Sequence, residues 1–127
     1  MIQPYLVILP SENRGRGVFA MEEIPEGATI EISPVLVMKA EDRPYLDKTL
    51  LHDYIFEWPG DGKRCCMALG YIPIYNHAYE ANCEYEMDAE NELMAIRTVR
   101  KIQKGEELFL NYNGEWNDSK PVWFEAT

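Results

Sequence analysis

Three short segments of the chain carry residues whose types and spacing could do chemistry. The first, Arg14-Gly15-Arg16-Gly17-Val18-Phe19-Ala20, is a glycine loop that runs straight into a strand-like stretch. Glycines at such a place let backbone N–H and C=O groups approach a ligand closely. No Gly-Lys-Ser/Thr follows and no helix opens, so the loop is not a phosphate cradle, and a tight β-turn stands as the alternative. The second segment, 70–83, holds the pair Asn76-His77 and a further asparagine, Asn82, six positions after the first. Asparagine side chains can hold strained loop backbone by bonding nearby N–H and C=O groups. His77 has no Cys, Ser or second ligand nearby in sequence to build a triad or a metal site, and His52, the other histidine, reads as a surface or packing residue. The third segment, Gly105-Glu106-Glu107-Leu108-Phe109-Leu110-Asn111-Tyr112-Asn113-Gly114, is a charged turn leading into a strand that ends on a tyrosine. That tyrosine either packs an edge or presents a phenol to a site.

The elements that must position these segments read as many short strands. Pro4–Leu9, Gly17–Ala20, Ala28–Ile32, Pro34–Met38, Asp53–Trp58, Cys65–Leu69, Cys83–Met87, Leu93–Val99 and Glu107–Tyr112 are β-rich runs separated by turn signals. Ala28–Ile32 alternates with period two, the mark of a half-buried strand. Helical character is confined to Glu41–His52, where Pro44 limits it to a short piece. One frame recurs: Ile24-Pro25-Glu26-Gly27-Ala28-Thr29-Ile30-Glu31-Ile32 and Ile102-Gln103-Lys104-Gly105-Glu106-Glu107-Leu108-Phe109-Leu110. Each copy is an apolar anchor, a glycine able to take positive φ in a turn, and a strand that alternates its face.

Composition bounds the rest. The 127 residues, 46% of them hydrophobic, suit one core-bearing domain spanning 1–127, with no low-complexity segment or linker to divide it. The longest apolar runs are far too short to span a bilayer, and no secretory signal is visible at the N-terminus. The expected location is therefore intracellular, cytoplasmic or nuclear, with no membrane partner. Twelve Lys+Arg against 22 Asp+Glu give a net charge of −10, which disfavours direct nucleic-acid binding and suits either solubility or a basic protein partner. Cys65, Cys66 and Cys83 are odd in number, two are adjacent and none forms a CxxC, so they read as ordinary thiols of a reducing compartment and not as metal ligands.

Taken in this order and at these distances, the three segments resemble the SET-domain lysine methyltransferases. The pattern is R-G-x-G-V-F-A, then I-x-x-G-x-x-I-E, then an N-H-x(4)-N-C loop, then the stretch from Ala95-Ile96-Arg97 through Tyr112. The resemblance covers residues 5–116, with 117–127 a C-terminal tail, and is greatest to the minimal, virus-encoded type of SET protein. It implies a mainly-β fold, the β-clip of several small curved sheets with a C-terminal pseudoknot. It also implies S-adenosylmethionine as the cofactor, S-adenosylhomocysteine as its product, and no metal.

Carried over residue by residue, the resemblance implies that Gly15, Arg16 and Gly17 offer backbone contacts to the methionine part of the cofactor. Asn76 would bond its amino-acid end, the His77 backbone would address the adenine, and Tyr75 would help line the pocket. Tyr112 would be the catalytic tyrosine and Tyr54, in Asp53-Tyr54-Ile55-Phe56, a second channel tyrosine. Leu110, two before Tyr112, stands where the family often sets the methylation degree, and it adds no hydroxyl to restrict transfer to one methyl. Ala78 and Tyr79 depart from the common N-H-S-C version, and no C-x-C-x(4)-C follows Tyr112. Trp116 beside the cofactor, with Trp123 or Phe124, would then complete the site, unless these tail aromatics merely staple the terminus to the core. The implied activity is methyl transfer to lysine in a basic protein, a histone-like tail or another basic target. The alternative is a catalytically silent SET-like module that binds a basic peptide or protein. A small domain with an incomplete channel also makes a homodimer a candidate assembly.

Overall fold

A computed structural model describes residues 1–12 and 15–113. Arg14, Trp116, Trp123, Phe124 and the whole 117–127 tail lie outside the described residues.

Among the described residues there are nine strands: β1 (Leu6–Pro10), β2 (Arg16–Ala20), β3 (Thr29–Met38), β4 (Phe56–Glu57), β5 (Cys65–Ala68), β6 (Asn76–His77), β7 (Cys83–Asp88), β8 (Leu93–Thr98) and β9 (Glu107–Leu110). They form two small sheets, one ordered β1-β2-β9-β6 and the other β4-β5-β3-β8-β7. All neighbours are antiparallel except β6 and β9, which run parallel with Asn76 opposite Phe109 and His77 opposite Leu110. Alternation on β8 buries Met94, Ile96 and Thr98, and on β9 Leu108 and Leu110, so each strand gives one face to a core shared with Val18, Ile24, Ile30, Ile72 and Ile102.

The recurring frame proves to be a contact. Ile24 and Ile102, the apolar anchors of the two copies, pair with each other through reciprocal backbone bonds of 3.0 and 2.8 Å, and both are buried. Gly27 and Gly105 take φ of 77° and 88°, the left-handed turn each copy needs before its strand.

Three elements differ from the sequence reading. The runs Ala28–Ile32 and Pro34–Met38 are one strand, β3. Pro34 has no N–H to give, and it sits where β3 changes partner, from β8 over Thr29–Pro34 to β5 over Val35–Met38. The run Asp53–Trp58 shrinks to β4, because Leu50–Asp53 close into a 3-10 turn capped by the Thr49 side chain, with Tyr54 ending it. The helical piece is likewise broken, into a 3-10 turn at Ala40–Asp42 and one short helix, α1 (Arg43–Leu46), with Pro44 in its first turn.

A fourth difference concerns Glu31. A register shift between Thr29 and Glu31 places a bulge at Ile30, so the alternation slips and both Ile30 and Glu31 turn inward. Glu31 is fully buried. Its carboxylate accepts from Ser33 Oγ at 2.8 Å, from the Tyr71 N–H at 2.8 Å and from the Tyr75 hydroxyl at 3.3 Å. Gly70, at φ 71°, keeps the space clear, since a Cβ there would collide with Glu31 and Ser33. The three cysteines are free thiols and buried. Burial pushes Cys66 up to about 12 and raises Cys65 and Cys83 as well.

Burial also raises the Glu31 carboxyl above its ordinary value, against the opposing effect of its hydrogen bonds to Ser33, Tyr71 and Tyr75. The folded carboxyl therefore holds its proton to higher pH than the unfolded one. Its contribution to stability is complete below the unfolded value near ~4.3 and is lost as pH rises through the raised folded value. Glu31→Gln cannot ionise and should lack this component. Thermal melts from pH 4 to pH 7 should show the variant gaining on the parent chain as pH rises; a difference that stays flat would mean Glu31 does not change its ionisation on folding.

Candidate functional site

Strand β9 draws the three chemical segments together. On one side it pairs with β2, Val18 opposite Leu108 and Phe19 opposite Glu107, and on the other with β6. The Glu107 carboxylate accepts from Ser11 Oγ at 2.8 Å and from Asn76 Nδ2 at 2.8 Å. Asn76 Nδ2 also donates to the Arg16 carbonyl at 3.1 Å. Both amide hydrogens of Asn76 are thus spent within the chain, and what it can offer a ligand is its carbonyl oxygen. Gly17 is required by this convergence: a Cβ there would run into the Glu107 carboxylate and come within 3.0 Å of Asn76 Nδ2. Gly15, exposed at φ 68°, meets nothing on its open side.

Asn82 serves as a staple. Its Nδ2 donates to Glu106 Oε2 and the Glu107 carbonyl at 2.9 and 2.8 Å, and its Oδ1 accepts from the Phe109 N–H at 2.8 Å. Residues 110–112 are tied to residues 77–79 in the same way. The Ala78 N–H donates to the Leu110 carbonyl, Asn111 Nδ2 to the Tyr79 carbonyl, and the Tyr112 N–H to His77 Nδ1, each at 3.0 Å. Accepting at Nδ1 puts the proton of the neutral His77 ring on Nε2.

Tyr112 touches two environments. Toward β6 its hydroxyl donates to the Tyr75 carbonyl, and its ring lies edge-on to His77 with centroids 5.3 Å apart. Away from β6 the same ring meets Phe56 edge-on at 5.5 Å, and Phe56 meets Tyr85 at 5.1 Å. The Tyr85 hydroxyl closes this corner by donating to the Tyr112 carbonyl at 3.3 Å. Phe56, Tyr85 and Tyr112, with Ile55, Trp58 and Met87, line a cavity of about 600 Å³. Gly15, Gly17 and Asn76 are not in its wall. The phenol of Tyr112 stands between an acceptor-rich polar corner and an aromatic chamber. Among the described residues no group of three or more His, Cys, Asp or Glu could hold a metal ion, and no helix is long and apolar enough to cross a membrane.

The SET-domain family model matches residues 15–113, the span that holds β2 through Tyr112. The chain belongs to the SET-domain family. It is 36% identical over 126 residues to a Schizosaccharomyces pombe histone-lysine N-methyltransferase, H3 lysine-37 specific, across 98% of this chain and 80% of that one. Among solved structures it resembles a candidate histone methyltransferase of Plasmodium falciparum, with a TM-score of 0.69 and 29% identity over 87% of this chain and 99% of the other. It also resembles ctPRC2, the Chaetomium thermophilum Polycomb Repressive Complex 2, bound to S-adenosylmethionine in an autoinhibited conformation; there the TM-score is 0.72 at 21% identity, over 87% of this chain and 15% of that one. That last likeness shows the fold alone. SET domains are a lysine methyltransferase family, and the mainly-β architecture of curled sheets found here is theirs.

Within this SET domain the structure gathers Gly17, Asn76 and the Arg16 carbonyl on one side, and Tyr75, His77 and Tyr112 around the phenol. Tyr75 is fully buried and its hydroxyl goes to Glu31, so its ring serves the core, and its carbonyl is what it turns to Tyr112. Leu110 is fully buried on β9, upstream of the phenol. Tyr54 is half-buried at the end of the 3-10 turn, two residues before Phe56, and it is not in the chamber wall. Trp116 lies outside the described residues. The sequence reading gave no role to Ser11, Glu107, Phe56 or Tyr85. Glu107 stood in a motif already singled out, but its partner Ser11 is 96 positions away, and Tyr85 sits 27 positions before Tyr112 with no local pattern to join them.

Gly17→Ala should push the Glu107 carboxylate off Asn76, at the ~1–3 kcal/mol typical of overpacking. Denaturation of the single and double variants tests this: Glu107→Ala should recover part of the loss in the Gly17→Ala background, whereas strictly additive effects would refute the contact.

Proposed function

We propose that this SET domain transfers a methyl group from S-adenosylmethionine to the side-chain amine of lysine in a basic, histone-like protein. The observation that carries the reading is the position of Tyr112, which joins the Asn76-His77 corner to the aromatic chamber through one side chain. The Schizosaccharomyces pombe relative, named for histone-lysine transfer, supports the choice of substrate class. On this reading the protein works in the nucleus or cytoplasm.

The polar corner fits the cofactor's amino-acid end. Asn76 has only its carbonyl oxygen to give and the Glu107 carboxylate lies beside it, which suits an ammonium group. The exposed Arg16, on the same loop, suits a carboxylate. Gly15 and Gly17 would admit backbone contacts, and the His77 backbone would meet the adenine. S-adenosylmethionine, when bound, supplies an electrophilic methyl on a sulfonium. The chain's own residues do the rest. Phe56, Tyr85 and Tyr112 strip water from the lysine stem, and desolvation disfavours the ammonium, which must lose its proton before it can attack. Burial, with smaller contributions from Cys66 and Glu57, pushes the Tyr85 hydroxyl up to about 12, so it stays a donor and keeps the Tyr112 backbone in place. The Tyr75 carbonyl fixes the direction of the Tyr112 hydroxyl, which orients the amine at the chamber's inner end. Tyr54, two residues before Phe56 and outside the chamber wall, is proposed to steer the same amine, and Leu110, without a hydroxyl, does not restrict transfer to one methyl. No step calls for a metal.

Tyr112→Phe keeps the ring contacts and deletes the hydroxyl. Cofactor affinity by calorimetry should change little, while kcat with labelled S-adenosylmethionine falls by at least the ~10²-fold typical of losing one preorganised polar group. Turnover within a few-fold of the parent chain would leave Tyr112 a packing residue and sink the mechanism.

The charge of −10 gives a separate forecast. If it recruits a basic substrate, peptide KM should climb with ionic strength through ~0.15 M, where the screening length is about 8 Å, while cofactor affinity holds steady. A KM flat in salt would assign the charge to solubility.

A further inference from the structure

The mouth of the chamber carries a charge that the transfer chemistry does not use. Glu57 follows Phe56 on β4, the outer strand of its sheet, and its exposed side chain lines the cavity that ends on Tyr112. The surrounding loop turns beside it through two glycines in the left-handed region. Gly60 and Gly62 take φ of 128° and 72°, and a Cβ on Gly62 would sit 3.6 Å from Glu57 Oε1. The loop is fixed independently of Glu57. The Asp61 carboxylate accepts from the Lys63 and Arg64 N–H groups at 2.9 and 3.3 Å, and the Trp58 N–H donates to the Arg64 carbonyl at 3.0 Å.

Glu57 has no cationic partner among the described residues. Arg43 is in the wall of the same cavity, but its Nε is committed to Asp47 at 3.0 Å. Arg97, Arg100 and Lys101 are paired with Glu84, Glu106 and Glu23. The Glu57 charge nevertheless reaches the chamber, because it adds to the burial that raises the Tyr85 hydroxyl. A carboxylate held against the reacting amine would stabilise the ammonium and oppose methyl transfer. The cation that belongs beside Glu57 is therefore a second one, carried by the same substrate and left at the mouth when the target lysine enters.

Resting on the lysine-transfer reading, we infer that Glu57 is a specificity-determining residue that receives the cationic side chain of an arginine flanking the target lysine. A guanidinium matches a carboxylate with two parallel bonds, which gives register as well as attraction.

The probes are short synthetic peptides with one central lysine and one arginine at a neighbouring position, each matched by a peptide with citrulline in place of the arginine. Turnover is measured with labelled S-adenosylmethionine, and peptide binding in parallel by fluorescence polarisation. The parent chain should prefer the arginine peptide at one flanking position by about fivefold in KM, equivalent to ~1 kcal/mol. In Glu57→Gln that preference should collapse to near unity, and Glu57→Asp should restore part of it. Melting curves confirm that each variant is folded. A parent chain that treats both peptides alike at every position, or a Glu57→Gln variant that keeps the preference, overturns the inference. If no peptide is methylated but polarisation still shows a Glu57-dependent arginine preference, the transfer reading fails and this one stands; if that preference is missing too, both fall.

Discussion

Between β2 and β6 runs β9, antiparallel to the first and parallel to the second. A strand so placed has both backbone edges filled, and each edge delivers one part of the site. Through β2 comes the glycine loop with the Arg16 carbonyl; through β6 come Asn76, His77 and the Tyr75 carbonyl. The parallel pair is only two residues long, too short to hold by itself, and the Asn82 amide supports it by bonding Glu106, Glu107 and Phe109 at once. Removing that amide would leave buried backbone groups of β9 unsatisfied, the expensive kind of loss.

Much of the frame could be read from the chain. The alternation of Leu93–Val99 and Cys83–Met87 marked β8 and β7, and the recurring Ile-x-x-Gly frame marked two turns whose anchors, Ile24 and Ile102, meet in the core. Periodicity stopped being informative where a local irregularity or a distant partner decided the outcome. The bulge at Ile30 is a one-residue slip that turns Glu31 from a solvent position into the core. A two-residue parallel strand such as β6 has no period to detect. Phe56 and Tyr85 reach Tyr112 from other strands, and aromatic residues in strands carry no mark of which neighbour they will touch.

Four glutamates show how environment divides one chemical type into several uses. Glu31 is walled in by donors and raised by burial. Glu106 is pushed up by burial, yet Arg100 at 2.6 Å, the Gln103 N–H and Asn82 together hold it below its ordinary value. Glu107 is spent on Ser11 and Asn76, where its geometry fixes the glycine loop. Glu57 stands at the chamber mouth with no cationic partner among the described residues. An acidic chain thus satisfies its inner carboxylates and leaves an outer one to act.

The bonds that build the polar corner span long stretches of chain: 96 positions between Ser11 and Glu107, and 60 between Asn76 and Arg16. Contacts of such separation must overcome the entropy of closing large loops before they return any energy. During synthesis the glycine loop and the Asn-His pair emerge well before β9, and until that strand arrives the inner edge of β2 lacks its hydrogen-bonding partner. The part of the corner that Glu107 and Phe109 supply is absent until that strand arrives. A chain ending before β9 would lack the Glu107 carboxylate that holds Ser11 and Asn76, and with it the cofactor corner proposed above.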